Sequence, residues 1–141
     1  MPTAATKHTA DGARAFAKFF IQTIDWGYAT TSSTYMRRYY QPSCTQCRVT
    51  RLALDNAQRD KQHYLGGRLT IVQVGQLVRG GPQRTDLSVR IVLNISAGEL
   101  VDRNSRASHP DVAHNGFREL VSMKWLGKGW TIVQIRGEDN G

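Results

Sequence analysis

The apolar period of this chain changes once, at Leu69, from helical steps of three and four residues to alternation. Upstream, Ala13, Phe16, Ala17, Phe20, Ile24 and Tyr28 form one helical stripe, with Phe19 and Trp26 on an adjoining face. Downstream, LTIVQVGQLV and DLSVRIVLNIS alternate, the second placing Leu87, Val89, Ile91, Leu93 and Ile95 on one side. A helical half followed by a stranded half excludes a repeating βαβ order and predicts a segregated α+β architecture.

Within the helical half, Asp11 is placed to cap a first helix. The polar break ATTSS leads to a short second helix around Thr34–Tyr40, which Pro42 ends. Ser43 followed by Gln46 has the form of a capping box, and predicts a third helix running to about Tyr64, where Gly66–Gly67 stops it. Asp55 lies four residues from both Arg51 and Arg59, a spacing for ion pairs on a solvated face. In the stranded half, GGPQ reads as a turn and Ala97–Asn115 as a long connection. FRELVSMKWL and GWTIVQIR form a hairpin closed across GKG. The expected fold is three N-terminal helices followed by a curved antiparallel sheet of about four strands, a cone around the first helix. One domain is expected over residues 11–137, between solvated tails at 1–10 and 138–141.

At 141 residues the chain is long enough to close one hydrophobic core. Its 19 Lys and Arg against 11 Asp and Glu give a net charge of +8, which favours anionic partners. The excess is spread along the chain, with no run of five like charges, so no basic tail stands out. No stretch approaches the roughly 18 apolar residues of a membrane span. The opening MPTAATKHTADG lacks the apolar core of a signal peptide, which predicts either a cytosolic chain or a mature domain that follows a removed leader.

Cys44 and Cys47 are the two cysteines, three apart in PSCTQC. In a first helical turn their Cβ atoms would lie ~5–6 Å apart on one side. Three readings compete. A thioredoxin-like centre would follow a strand in a βαβ unit, whereas here helix precedes and helix follows. Zinc would need two further ligands, for which HPDVAH offers His109 and His114. A local disulfide pinning the helix start in an oxidising compartment asks for nothing further, and is the reading adopted. Closing so short a loop contributes about 1–2 kcal/mol.

The order of motifs is familiar: T-x-D-G-A-R-A-F, an aromatic helix, C-T-Q-C, a helix ending Y-L-G-G, and a closing W-L-G-K-G-W-T-I-V hairpin. Over Asp11–Arg136 the chain resembles a family of actinobacterial surface lipoproteins with a nuclear-transport-factor-2-like (cystatin-like) cone domain. The resemblance implies a place on the extracellular face of the cell envelope, with a leader and lipid-acceptor cysteine in the precursor. If the chain is complete as given, a cytoplasmic location is expected instead. No activity is implied, because the family has none established.

Candidate chemistry is sparse. There is no phosphate-binding glycine loop, nucleophile elbow or neighbouring Cys–His pair, and no cofactor is expected. Acid–base work in such a fold would need a carboxylate facing a tyrosine or a second acid. Glu119 is in phase with Phe117, Val121, Met123 and Trp125, and Tyr28, Tyr39 and Tyr64 could supply hydroxyls. If the chain is an enzyme of isomerase or dehydratase type, Glu119, Tyr28 and Tyr64 are its candidates. The plainer expectation for Glu119 is a rim carboxylate with an ordinary pKa, since it lies near a strand end. Asp25 follows Ile24 at the far end of the first helix. Trp125 and Trp130 read as packing aromatics, and His63 as a complement to a helix C-terminus. The first expectation is thus a non-catalytic envelope binding or accessory domain. Its partner would be an anionic envelope component or another envelope protein, with membrane association only through a lipid anchor outside this chain. An enzyme ranks second. A nucleic-acid binder ranks third, because the basic residues lack interleaved aromatics and fit no recognition module.

Overall fold

The computed structural model describes residues 1–79, 87–104 and 107–138. A single 3-10 turn at Thr3–Thr6 precedes helix α1, Ala10–Thr30. Thr9, not Asp11, caps α1: its hydroxyl accepts from the Gly12 amide at 2.9 Å. Asp11 falls in the first turn, where it suits the helix dipole and pairs with Arg14 at 3.4 Å. The stretch expected to be a solvated tail holds a buried Ala5, and the Lys7 carbonyl accepts from the Trp130 indole at 2.8 Å.

The expected second helix is one 3-10 turn, Met36–Arg38. The chain instead extends along the edge of the last strand, where Ile132 donates to the Tyr39 carbonyl and Gln41 donates to the Ile132 carbonyl, each at 2.8 Å. An unpaired strand edge needs such partners, and that demand outcompetes a marginal helix.

Helix α2, Thr45–Arg59, opens on the disulfide. Cys44 and Cys47 are joined, at 0% and 1% exposure, so the sulfurs are unavailable to zinc and out of reach of an attacking thiol. The His109 side chain lies outside the described residues. Cys44 is the N-cap, its sulfur accepting from the Cys47 amide at 3.3 Å. The capping box does not form, because the Ser43 hydroxyl donates instead to the Val133 carbonyl at 2.8 Å. Asp55 pairs with Arg51 at 3.5 Å and approaches Arg37 at 4.0 Å, whereas Arg59 turns to Asp60. The helix ends at Asp60, short of Tyr64, and Lys61 takes a left-handed φ of 56°.

Among the described residues seven strands follow: β1 His63–Gly66, β2 Leu69–Arg79, β3 Leu87–Ile95, β4 Gly98–Val101, β5 Ala107–Asp111, β6 His114–Trp125 and β7 Trp130–Gly137. They form two antiparallel sheets, one of three strands ordered β1-β4-β5 and one of four ordered β2-β3-β6-β7. This corrects the expected fold of three helices and one curved sheet of about four strands: the described residues form two α-helices and a second sheet. HYLG, GELV and ASHPD, expected as helix end and loop, are strands through pairing with one another and not through any alternation of their own. His63 therefore lies in β1 and does not complement a helix terminus. The GGPQ turn, residues 80–83, lies outside the described residues. The β6–β7 hairpin is as expected, closed by a bond from the Leu126 amide to the Gly129 carbonyl at 2.8 Å.

The core lies between α1 and one face of the larger sheet. Phe16, Phe20, Ile21 and Ile24 pack in one cluster with Val89, Ile91 and Leu93 of β3, Val121 and Met123 of β6, and Ile132 and Ile135 of β7. Leu54 brings α2 against α1 at Gly27, where a Cβ would lie 2.9 Å from both its Cδ1 and the Ser32 carbonyl oxygen, so a larger residue would require the backbone at Ser32 to shift. Because Phe20 is fully buried, Phe20→Ala should cost about 3–5 kcal/mol in chemical denaturation. A loss below about 1 kcal/mol would mean that the stripe is not core.

Candidate functional site

Strand register places one carboxylate on the core face of the larger sheet. Glu119 of β6 stands between Ile91 of β3 and Gly137 of β7, one row from Val89–Val121–Ile135. The in-phase expectation is met, but the rim expectation is not: Glu119 is only 6% exposed. β6 runs back to His114, so Glu119 is not at a strand end.

In front of Glu119 a cavity of about 620 Å³ opens between α1, α2 and the two sheets. Its wall is largely apolar, with Ile21 and Ile24 from α1 and Leu93, Ile95 and Phe117 from the larger sheet. Gln46 and Thr50 reach it from α2, one turn apart on a single face. The small sheet supplies Tyr64, Leu100 and Asp111. At its border Gly66 adopts φ +69°, and a Cβ there would lie 2.1 Å from the Ala97 carbonyl oxygen, so glycine is what lets β1 close against the β3–β4 connection.

The polar groups are few and converge. The Gln46 amide donates to Glu119 Oε1 at 3.1 Å, which is why this glutamine makes no capping box. Burial pushes the Glu119 carboxyl above its ordinary pKa, and the Gln46 hydrogen bond only partly opposes this. The rings of Tyr28 and Tyr64 meet edge to face at 5.0 Å. The Tyr28 phenol is pushed up first by burial and then by Tyr64, Asp111 and Glu119, against a hydrogen bond with Thr50. The Tyr64 phenol is raised by burial and then by Asp111. A raised carboxyl beside two neutral phenols can bind a hydrogen-bond donor or a cation, and can exchange a proton with a bound molecule.

The structure thus brings Glu119, Tyr28 and Tyr64 to one cavity, as the candidate set required. It sends the others elsewhere. Asp25 accepts a two-pronged contact from Arg68 at 2.8 and 2.7 Å and a bond from the Leu69 amide at 2.9 Å, and its carboxyl is held low chiefly by Arg68. It ties α1 to the start of β2. Tyr39 packs edge to face on Phe19 at 5.2 Å. Trp125 and Trp130 enclose His8, stacked on the first at 4.6 Å and edge-on to the second at 5.3 Å. His114 does line the cavity, at its border with Asp111. Sequence reasoning missed Gln46, Thr50 and Asp111. The i, i+4 spacing of Gln46 and Thr50 marked a shared face, but nothing in the pattern said that the face looked inward.

Residues 1–136 match the profile of a family of unknown function, DUF6318. The chain belongs to the DUF6318 family. No curated protein matches it. Among solved structures this DUF6318 chain is similar to the intermembrane-space region of the chloroplast protein ARC6, with a TM-score of 0.60 and 10% identity over 93% of this chain and 97% of that one. It is also similar to a candidate aromatic ring hydroxylase from Novosphingobium aromaticivorans, with a TM-score of 0.55 and 13% identity over 91% and 89% of the two chains. At these identities the likeness is one of fold.

The native state holds the Glu119 proton more tightly than the unfolded chain, so stability through this group falls as pH rises from its unfolded pKa through its raised native one. Asp25 and Glu138 act oppositely: their pKa values are lowered by Arg68 and Arg90, so their stabilisation is present at neutral pH and is lost in acid. Glu119→Gln should therefore raise the urea midpoint at pH 7, with the gap to the parent protein narrowing at pH 3. A variant less stable at pH 7 would show that the ionised carboxylate is satisfied where it stands.

Proposed function

We propose that this chain is an envelope-side binding domain, the mature part of an actinobacterial surface lipoprotein, and that it takes a small, largely apolar molecule into the Glu119 cavity. The cavity carries this reading. Its volume of about 620 Å³ lies inside the range of roughly 300–1,000 Å³ usual for small-molecule sites. Apolar walls with a few convergent polar groups are the usual composition of such sites. The buried disulfide supports an oxidising location. The net charge of +8 suits an anionic envelope component, or an acidic envelope protein, as the neighbour of the outer surface.

N-phenyl-1-naphthylamine, a neutral apolar fluorophore, should bind with one-to-one saturation. Ile95→Trp, which fills the cavity from a half-buried position on β3, should abolish that binding with the fold intact by circular dichroism. No saturable binding, or binding unchanged in Ile95→Trp, would refute the reading.

A second reading has one observation in its favour, the raised Glu119 carboxyl in the same cavity as Tyr28 and Tyr64. Glu119 would move a proton to or from a bound molecule while a phenol donates to the oxygen that gains charge. A small molecule co-purified from cells and returned to the protein in D2O should then gain deuterium with the parent protein and not with Glu119→Gln. Equal exchange with both would leave binding as the function.

A further inference from the structure

The cavity and the surface of this molecule have opposite charge. The chain carries 19 Lys and Arg against 11 Asp and Glu, yet the cavity holds the carboxylates of Asp111 and Glu119 and, among the described residues, is lined by no Lys or Arg. Glu99 borders it on β4 but alternates with Leu100, which shares the Tyr64 face, so its side chain belongs to the other face of the small sheet. His114 is the one imidazole in the lining.

Two basic residues that adjoin the cavity in sequence are turned away from it. Arg118 stands between Phe117 and Glu119, both in the lining, and strand alternation puts it on the opposite face of the sheet, near Glu138. Arg68 lies between Gly67 and Leu69, also in the lining, and is held outside by the two-pronged contact with Asp25. Among the described residues no Lys or Arg therefore neutralises Glu119. Its hydrogen-bond partner among the described residues is the uncharged Gln46 amide, on one of its two oxygens. A carboxylate this buried is ordinarily paired with a cation, because desolvation of an unpaired charge is costly.

Resting on the reading of the cavity as a ligand site, we infer that its ligand is a cationic amphiphile: an apolar body carrying an amine or another ammonium group that pairs with Glu119. Tyr28 and Tyr64 add ring faces beside that position, and aromatic faces attract ammonium groups. Asp111 extends the negative potential outward. An amine would thus be drawn in, while a fatty acid or other anion would meet two carboxylates and, among the described residues, no Lys or Arg. The phenols register that field, since Asp111 and Glu119 both raise Tyr28.

Three probes with one chain and different heads test the inference: octylammonium, 1-octanol and octanoate. Binding is followed through the methyl resonances of Ile24, Leu93 and Ile95 in the cavity wall. Octylammonium should bind about tenfold or more tighter than octanol, a difference of about 1.4 kcal/mol, with octanoate weakest. Glu119→Gln should bring the amine down to the level of octanol and leave octanol unchanged. Asp111→Asn, at an exposed position, should weaken the amine alone by about twofold to threefold, and it serves if the Glu119 variant does not fold. Octanol or octanoate binding in the cavity more tightly than the amine would overturn the charge assignment and leave the ligand site standing. An amine preference that survives Glu119→Gln would overturn the role of Glu119. If no probe moves these methyls, both the inference and the site fall.

Discussion

The packing of the α1 stripe against the core face of β3, β6 and β7 holds the molecule together. Phe16, Phe20 and Ile21 are buried there to 1% exposure or less, against Val89, Ile91, Val121 and Met123. Burial of several large side chains is the main favourable term available to a domain of this size. The remaining features depend on where this contact ends. Past Ile24 the helix and the sheet no longer fill the space between them; Leu93 still belongs to the core, and Tyr28, Ile95 and Phe117 become walls. The cavity is the unfilled continuation of the core, closed on its other side by α2 and the small sheet.

A second constraint acts at the start of α2. Cys44 caps the helix through its sulfur and is bonded to Cys47 within the first turn. Ser43 is occupied with Val133, which anchors the same turn to β7. With both residues committed, the Gln46 side chain is free to reach Glu119, and a residue that would ordinarily complete a cap becomes part of the cavity. The disulfide is structural in this sense: it presents Gln46 and Thr50 on a face it has helped to fix. Its contribution to stability through so short a loop is small, about 1–2 kcal/mol.

Charge is segregated between inside and outside. On the outer face of the larger sheet Arg90, Arg118 and Arg136 gather around Glu138, which pairs with Arg90 at 2.7 Å. The inner face of the same strands presents Glu119. Alternation along β6 is enough to separate Arg118 from Glu119 by the thickness of the sheet, so adjacent residues of opposite charge serve opposite surfaces. The exterior carries the excess of basic residues, and the cavity holds Asp111 and Glu119.

Local periodicity by itself determined α1, β2, β3 and the β6–β7 hairpin, because the side chains of each report one buried face through a regular step. It also put Glu119 on the packed side of its strand. The small sheet was not legible: β1, β4 and β5 are too short to show a period, and their residues are strands only because they meet one another across the fold. The middle helix lost to the edge of β7, and the capping box to Val133 and Glu119; both partners lie 73 to 90 residues away in sequence. Tyr28, Gln46, Tyr64, Asp111 and Glu119 come from five different elements, so no local pattern could assemble them. Only the tertiary structure decided that Glu119 is buried and, among the described residues, without a Lys or Arg beside it, because burial depends on what every other element covers.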